Sequence, residues 1–107
     1  MKKGGSGIRE LQISFITNAE IRRWMRILSI IEREHHFTIV VLSERLMISR
    51  RTLVKDIQAI KSYFGETIEL LSLYNGFRFD ERNRIEYQEK KEALLENEVL
   101  FELVGIG

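Results

Sequence analysis

The fold of this 107-residue chain is decided by residues 38–65, which read TIVVLSERLMISRRTLVKDIQAIKSYFG. The stretch predicts two helices, over 39–46 and 50–64, that meet at a tight corner. Thr38 and Ser49 stand one residue before these helices, and their hydroxyl oxygens can accept hydrogen bonds from backbone N–H groups of the first turn. We therefore expect two short, capped helices that pack against each other.

The second of these helices has one apolar face. Ile48 precedes the Ser49 cap and Leu53 follows it, a spacing at which the two side chains pack together and fix the angle of the corner. Gly65 is suited to ending the helix, because glycine readily adopts the left-handed conformation found after many helices. The face recurs at helical spacing, is predicted to be buried, and consists of Leu53, Ile57, Ile60 and Phe64.

The opposite face of this helix is polar and cationic. Such side chains suit the major groove of DNA, because Arg and Lys bind phosphates and guanine edges, Gln binds adenine, and Thr binds a base or a phosphate. The same residue types are common on a solvated helix face, so the face alone leaves both interpretations open. At about 100° per residue, its members are Arg51, Lys55, Gln58 and Ser62, with Thr52 and Ala59 beside them and Arg50 in the first turn.

The pattern LSERLMISRRTLVKDIQAI, at 42–60, resembles the winged helix-turn-helix of bacterial transcription regulators. It looks most like the N-terminal DNA-binding region of Mga-type virulence regulators, which are related to activators and antiterminators with phosphotransferase-regulated domains. The core SRRTLVKDI, at 49–57, is also similar to the N-terminal domain of biotin repressors. The resemblance covers about 19–79, and Val41 departs from it, since relatives often have a polar residue there. It implies a recognition helix that contacts DNA through Arg50, Arg51, Thr52 and Lys55.

A further helix is predicted before this stretch, near 18–34. Thr17 and Glu20 have the spacing of a capping box, in which each side chain bonds the other residue's backbone N–H. Arg22 and Arg23 lie near the positive N-terminal end of this helix, where a phosphate contact is favourable; solubility is the alternative role for both. The buried side is predicted to contain Ile21, Trp24, Met25, Leu28 and Ile31.

After Gly65 the apolar period shortens towards two, which is typical of strands. Asn75-Gly76 is a strong hairpin signal, and a hairpin directly after a recognition helix is a wing. Its candidate backbone contacts on DNA are Tyr74, Asn75 and Arg78, although a hairpin that only covers the core is compatible with the same pattern. A short third strand is expected at 84–87.

A last helix is predicted near 89–103, in an acidic segment of high helix propensity. Its apolar surface includes Leu95, Val99, Phe101 and Leu103, which is more than a lone surface helix needs. We expect the 89–104 helix to pack on the domain body or on a second copy of the chain as a homodimer contact. The resemblance to Mga-type regulators implies that a second helix-turn-helix and regulatory domains follow.

Composition excludes several classes of function. The chain has no cysteine, hence neither a disulfide framework nor a thiolate metal site. No apolar run approaches the length of a membrane span, so a cytoplasmic location without membrane contact is expected. Adjacent His35 and His36 cannot converge on one metal ion from a regular element, and we find no phosphate-binding loop or catalytic triad pattern. We expect no enzyme activity, no cofactor, no metal and no small-molecule ligand in this part of the protein.

Charge is divided unequally along the chain. Residues 1–64 contain twelve Lys or Arg against six Asp or Glu, whereas 65–107 contain five against ten. A basic half beside an acidic half suggests that one half contacts a polyanion.

The predicted fold class is mainly α with a small β-hairpin, a winged helix-turn-helix with a three-helix core, a wing and an extra C-terminal helix. We expect a flexible arm at 1–16, a DNA-binding domain at 17–87, and a linker or dimerisation helix at 88–107. The predicted function is sequence-specific binding of double-stranded DNA within a bacterial transcription regulator. Two alternatives are a winged helix that binds protein and the DNA-binding arm of a biotin-repressor-like protein. The candidate DNA-binding residues are Ser49, Arg50, Arg51, Thr52, Lys55, Gln58, Arg22, Arg23, Tyr74, Asn75 and Arg78.

Overall fold

The structure, a computed structural model, describes the backbone of residues 16–106 and the side chains of residues 16–96. The helices are α1 (Asn18–Glu34), α2 (Ile39–Leu46), α3 (Arg50–Phe64) and α4 (Arg84–Ile106). The strands are β1 (His36–Phe37), β2 (Ile68–Leu73) and β3 (Gly76–Glu81), in an antiparallel sheet of order β1-β3-β2. The predicted fold class is confirmed, and the bounds of α1, α2 and α3 agree with those expected. Most of the predicted arm at 1–16 lies outside the described residues.

Each of the first three helices begins at the cap that its sequence predicts. Thr17 and Glu20 form the reciprocal capping box, with N···O distances of 3.0 and 3.1 Å. Thr38 accepts from the backbone N–H of Val41 at 3.2 Å, and Ser49 accepts from that of Thr52 at 3.0 Å. Each such cap is worth about 1 kcal/mol, so these hydroxyls define where α1, α2 and α3 start.

The three helices and the sheet enclose one apolar core. The predicted stripe of α3 is buried, and the stripe of α1 is buried except for Met25, which is partly buried and packs against the core. A chain of aromatic rings joins the elements, from Trp24 on α1 through Tyr63 and Phe64 on α3 to Tyr87 on α4. Because the stripe of α3 is anchored on this core, the opposite side of the helix faces solvent.

The third strand of the sheet differs from the expected one. We expected it at 84–87; instead His36 and Phe37 form β1 and pair with Arg78 and Phe77 of β3. Helix α1 ends because His35 adopts a left-handed conformation (φ 64°). The backbone carbonyl of His35 then accepts a hydrogen bond from the N–H of Phe79 at 2.7 Å. Two residues are too few to show an alternating pattern, so only the pairing with β3 reveals this strand.

The hairpin turns one residue earlier than expected. Leu73 pairs with Gly76, so the two-residue loop is Tyr74-Asn75 rather than Asn75-Gly76. In the usual Asn-Gly turn both central residues have positive φ, whereas here Gly76 alone does, at 141°. A Cβ on Gly76 would lie 2.6 Å from the carbonyl oxygen of Phe37. Glycine is therefore required here for its conformation and for the close approach of β1.

Helix α4 begins five residues before the expected start at 89, and it replaces the strand predicted at 84–87. Asn83 caps it by accepting from the backbone N–H of Glu86 at 3.1 Å. Tyr87 and Leu94 are fully buried, and the Tyr63 hydroxyl donates to the carbonyl of Lys90 at 3.0 Å. The first three turns of α4 thus pack on the core. The side chains of Val99, Phe101 and Leu103 lie outside the described residues.

An anchoring cluster holds α4 to α1. Glu32 accepts hydrogen bonds from the Tyr87 hydroxyl and from the Lys91 ammonium, at 2.7 Å in the second case. Burial, together with the bond to the Glu32 carboxylate, raises the pKa of the Tyr87 phenol above its ordinary value. The phenol therefore stays protonated and serves as a permanent donor between the two helices.

Candidate nucleic-acid interface

The outward face of α3 carries four cationic side chains. Leu53, Ile57 and Ile60 turn inward, so the exposed arc is the one on the opposite side of the helix. The single carboxylate of α3, that of Asp56, belongs to the buried side. The exposed arc, hereafter the outward face, consists of Arg50, Arg51, Val54, Lys55, Gln58, Lys61 and Ser62.

Two members of this face, Val54 and Lys61, were absent from the set predicted from sequence. The prediction took Leu53, Ile57 and Ile60 as the centre of the buried side. In the structure Asp56 and Tyr63 are buried as well. The centre of the buried side is therefore shifted around the helix, and the exposed arc includes positions 54 and 61 on its other edge. The spacing of seven between Asp56 and Tyr63 is a helical signal, but a charged residue rarely marks a buried face.

Asp56 is buried because it pairs with Arg23 of α1. The guanidinium is bidentate, with Nη2 donating to Oδ1 at 2.8 Å and Nε donating to Oδ2. The hydrogen bonds that Arg23 donates to this carboxylate raise the pKa of the guanidinium above its ordinary value. The structure thus gives Arg23 a role in attaching α3 to α1, away from the outward face. Arg22, its neighbour, is exposed on α1.

Ser49 and Thr52 lie at the N-terminal end of α3 and bond to each other. Besides capping the helix, the Ser49 hydroxyl donates to Oγ1 of Thr52 at 2.9 Å. The Ser49 hydroxyl thus uses its one proton within the turn, while Thr52 keeps its own hydroxyl proton as a donor. The arrangement holds the first turn of α3, with Arg50 and Arg51, in a fixed geometry.

The wing presents a different surface. Tyr74 and Asn75 at its tip are exposed, Tyr74 completely. Arg78 lies on the outward side of the sheet and forms an ion pair with Asp80 at 3.1 Å. The Asp80 carboxylate offsets the positive charge that Arg78 presents to a ligand. The expected tip residues are therefore accessible, although Arg78 sits in the strand rather than in the loop.

Both histidines contact residues of β3. Nδ1 of His35 lies 3.3 Å from the carbonyl oxygen of Phe79, and the ring of His36 lies against Gly76. Within residues 16–96 no three acidic or histidine side chains come together in a way that could hold a metal ion. Among the described helices, none has the length and apolarity to cross a bilayer.

A three-helix core, a corner between α2 and α3, and a hairpin directly after α3 define a winged helix-turn-helix protein. Comparison with known families agrees, because residues 23–78, more than half of the chain, match the family model described as "HTH domain". The chain belongs to this helix-turn-helix family. The match runs from Arg23 on α1 to Arg78 on β3 and leaves α4 outside it. No curated protein and no solved structure matches the chain significantly.

Proposed function

We propose that this chain binds double-stranded DNA sequence-specifically, with α3 in the major groove and the wing on the backbone. The role is binding rather than catalysis, within a cytoplasmic transcription regulator. Membership of the helix-turn-helix family supports DNA as the partner. The residues proposed to contact it on α3 are Arg50, Arg51, Thr52, Lys55, Gln58 and Lys61, with Ser49 capping the helix.

The outward face of α3 is the observation that carries this proposal. It contains four cations, and α3, which the structure describes completely, keeps its one carboxylate buried. Cations facing a phosphate backbone release condensed counterions, which is the main source of affinity in such complexes. Arg51 and Gln58 are also the residue types that bind guanine and adenine edges.

The alternative role, as a protein-binding winged helix, requires a different surface on α3. A protein interface is usually depleted of Lys and enriched in aromatic residues at its centre. The outward face has two lysines and no aromatic residue, so a polyanion is the better partner.

Among helix-turn-helix regulators, we propose that the chain is most similar to Mga-type bacterial regulators. The support for this is the pattern LSERLMISRRTLVKDIQAI at 42–60. The biotin-repressor arm remains the alternative, since SRRTLVKDI at 49–57 is similar to that family too. A second helix-turn-helix in the same polypeptide would support the first assignment, and a ligase-like domain would support the second.

We propose that residues 17–87 bind DNA and that residues 88–107 form a linker or a dimer contact, as expected from the sequence. Leu94 is buried in the domain, whereas Leu95 beside it is 42% exposed. The contact with a second copy is therefore assigned to the side of α4 on which Leu95 lies.

The direct test is titration of a labelled duplex at two salt concentrations. The isolated chain should bind with a Kd in the micromolar range or weaker at physiological salt, as non-specific contacts alone allow about 10⁻⁴–10⁻⁶ M. Arg51→Ala and Lys55→Ala should each weaken binding without unfolding the domain. Each lost phosphate contact should lower the slope of log K against log salt by about 0.9, and a lost guanine contact should cost about 1–3 kcal/mol at one base pair.

Arg33→Ala provides a control of matched charge, because Arg33 is exposed in the last turn of α1. This variant should bind DNA like the parent. A double Arg51→Ala/Lys55→Ala variant that binds as tightly as the parent would show that α3 is not the recognition helix.

A further inference from the structure

Val54 is an apolar residue in the middle of an otherwise polar surface. It is 39% exposed on the outward face of α3, and it takes no part in the core that Leu53 and Ile57 form on the other side of the helix. Residues three and four apart on a helix are neighbours. Val54 is therefore surrounded by Arg50, Arg51 and Gln58.

Helix stability does not explain a valine at this position. A β-branched side chain loses rotamer freedom in a helix, and an exposed site would favour alanine or a long polar residue. The side chain neither donates nor accepts a hydrogen bond, so it has no use for a phosphate or for most base edges. The side chain can only pack against another apolar group, which the DNA would have to present beside the bases that the polar neighbours of Val54 contact.

The major groove of DNA presents one such group, the C5-methyl of thymine. We propose that Val54 contacts this methyl group and specifies a T·A base pair. The inference deepens the proposed function and rests on it. Val54 lies about 4.5 Å along the helix axis from Arg51 and about 6 Å from Gln58, at 1.5 Å per residue. The thymine is accordingly expected within about two base pairs of the bases that those side chains face.

The proposal is tested with deoxyuridine, which pairs like thymine but lacks the methyl group. The preferred duplex is first selected from a randomised pool by the parent chain. Each thymine in it is then replaced singly by deoxyuridine, and Kd is measured for the parent and for Val54→Ala. At one position the parent should lose about fourfold in affinity, the factor expected for one methyl group removed from water, and Val54→Ala should lose nothing there.

Val41→Ala is the matched control, since Val41 is an exposed valine, 54% accessible, on α2. This variant should keep the parent's fourfold sensitivity at the same thymine. Val54→Thr, which retains one methyl group, should keep part of it.

The outcomes separate this inference from the function on which it rests. If no duplex is bound at all, the proposed function fails and this inference fails with it. If the parent prefers a sequence but tolerates every deoxyuridine, or if Val54→Ala is as sensitive as the parent, only the role of Val54 is overturned. Binding without any sequence preference also overturns it, while leaving phosphate binding by α3 intact.

Discussion

At the scale of single residues, the pair between Arg23 and Asp56 is the feature hardest to see in the sequence. Both residues belong to amphipathic helices; Arg23 was expected to contact a phosphate or solvent, and Asp56 was assigned to neither face of its helix. Their contact joins residues 33 positions apart, and no local pattern announces such a pair. Val54 and Lys61 were missed for the same reason, because the burial of Asp56 sets which arc of α3 faces outward.

The pair between Arg23 and Asp56 should matter for stability. Asp56→Ala leaves the Arg23 guanidinium partly buried beside an apolar gap, and loss of one partner of a buried ion pair costs about 3 kcal/mol or more. Urea denaturation followed by circular dichroism would measure the change in the free energy of unfolding.

A double-mutant cycle with Arg23→Ala separates the pair from its surroundings. The double variant should be less destabilised than the sum of the two single variants. Strict additivity would contradict a direct interaction. For comparison, Arg50→Ala on the exposed first turn of α3 should change stability little.

At the scale of elements, local signals sufficed wherever a helix has its own cap and stripe. Thr17, Thr38 and Ser49 mark the starts of three helices whose bounds agree with the structure. Prediction failed where pairing is non-local, as in β1, which exists only because β3 lies beside it. It also failed at the start of α4, where a strand was predicted at 84–87 and the cap residue Asn83 went unrecognised.

Gly76 should be the most sensitive position of the wing. Alanine there would hold a strained backbone conformation, at a cost of about 1–3 kcal/mol, and its Cβ would meet the carbonyl oxygen of Phe37. We expect Gly76→Ala to destabilise the domain and to loosen the β1–β3 pairing, seen as faster amide exchange at Phe77.

Gly65→Ala is the comparison for this variant. Gly65 also has positive φ, 57°, but no atom lies within 4 Å of the added Cβ. Its backbone (φ 57°, ψ −132°) lies outside the left-handed helical region, in a region that residues with a Cβ rarely adopt. Its substitution should therefore cost only the conformational penalty, about 1–3 kcal/mol. Equal losses at Gly65 and Gly76 would show that the contact with Phe37 is unimportant.

At the scale of the whole molecule, α4 is the element that we propose to contact a second copy of the chain. Its first turns are attached to α1 and α3 through Tyr87, Lys91 and Lys90. Leu95, beyond them, is exposed. The sequence could predict that this helix is apolar on more than one side, but which side the domain covers depends on contacts that only the fold defines.

Substitution at Leu95 tests the proposed homodimer. If α4 joins two copies, the parent should sediment as a dimer at high concentration, and Leu95→Glu should shift the equilibrium towards monomer. Glu92→Gln, an exposed change on the same helix, should have little effect. A parent chain that is strictly monomeric, with fast amide exchange across 92–103, would contradict both proposed roles of the surface.

Trp24 gives the domain an internal optical reporter. It is the only tryptophan in the sequence, and only 3% of it is exposed. Its indole N–H has no acceptor among the described residues. Its ring lies 6.3 Å from that of Tyr63 on α3. Fluorescence emission from a site of this kind is blue-shifted, and it responds when α3 separates from α1. The fluorescence of this one tryptophan thus monitors the packing of α3 on α1 without any attached label.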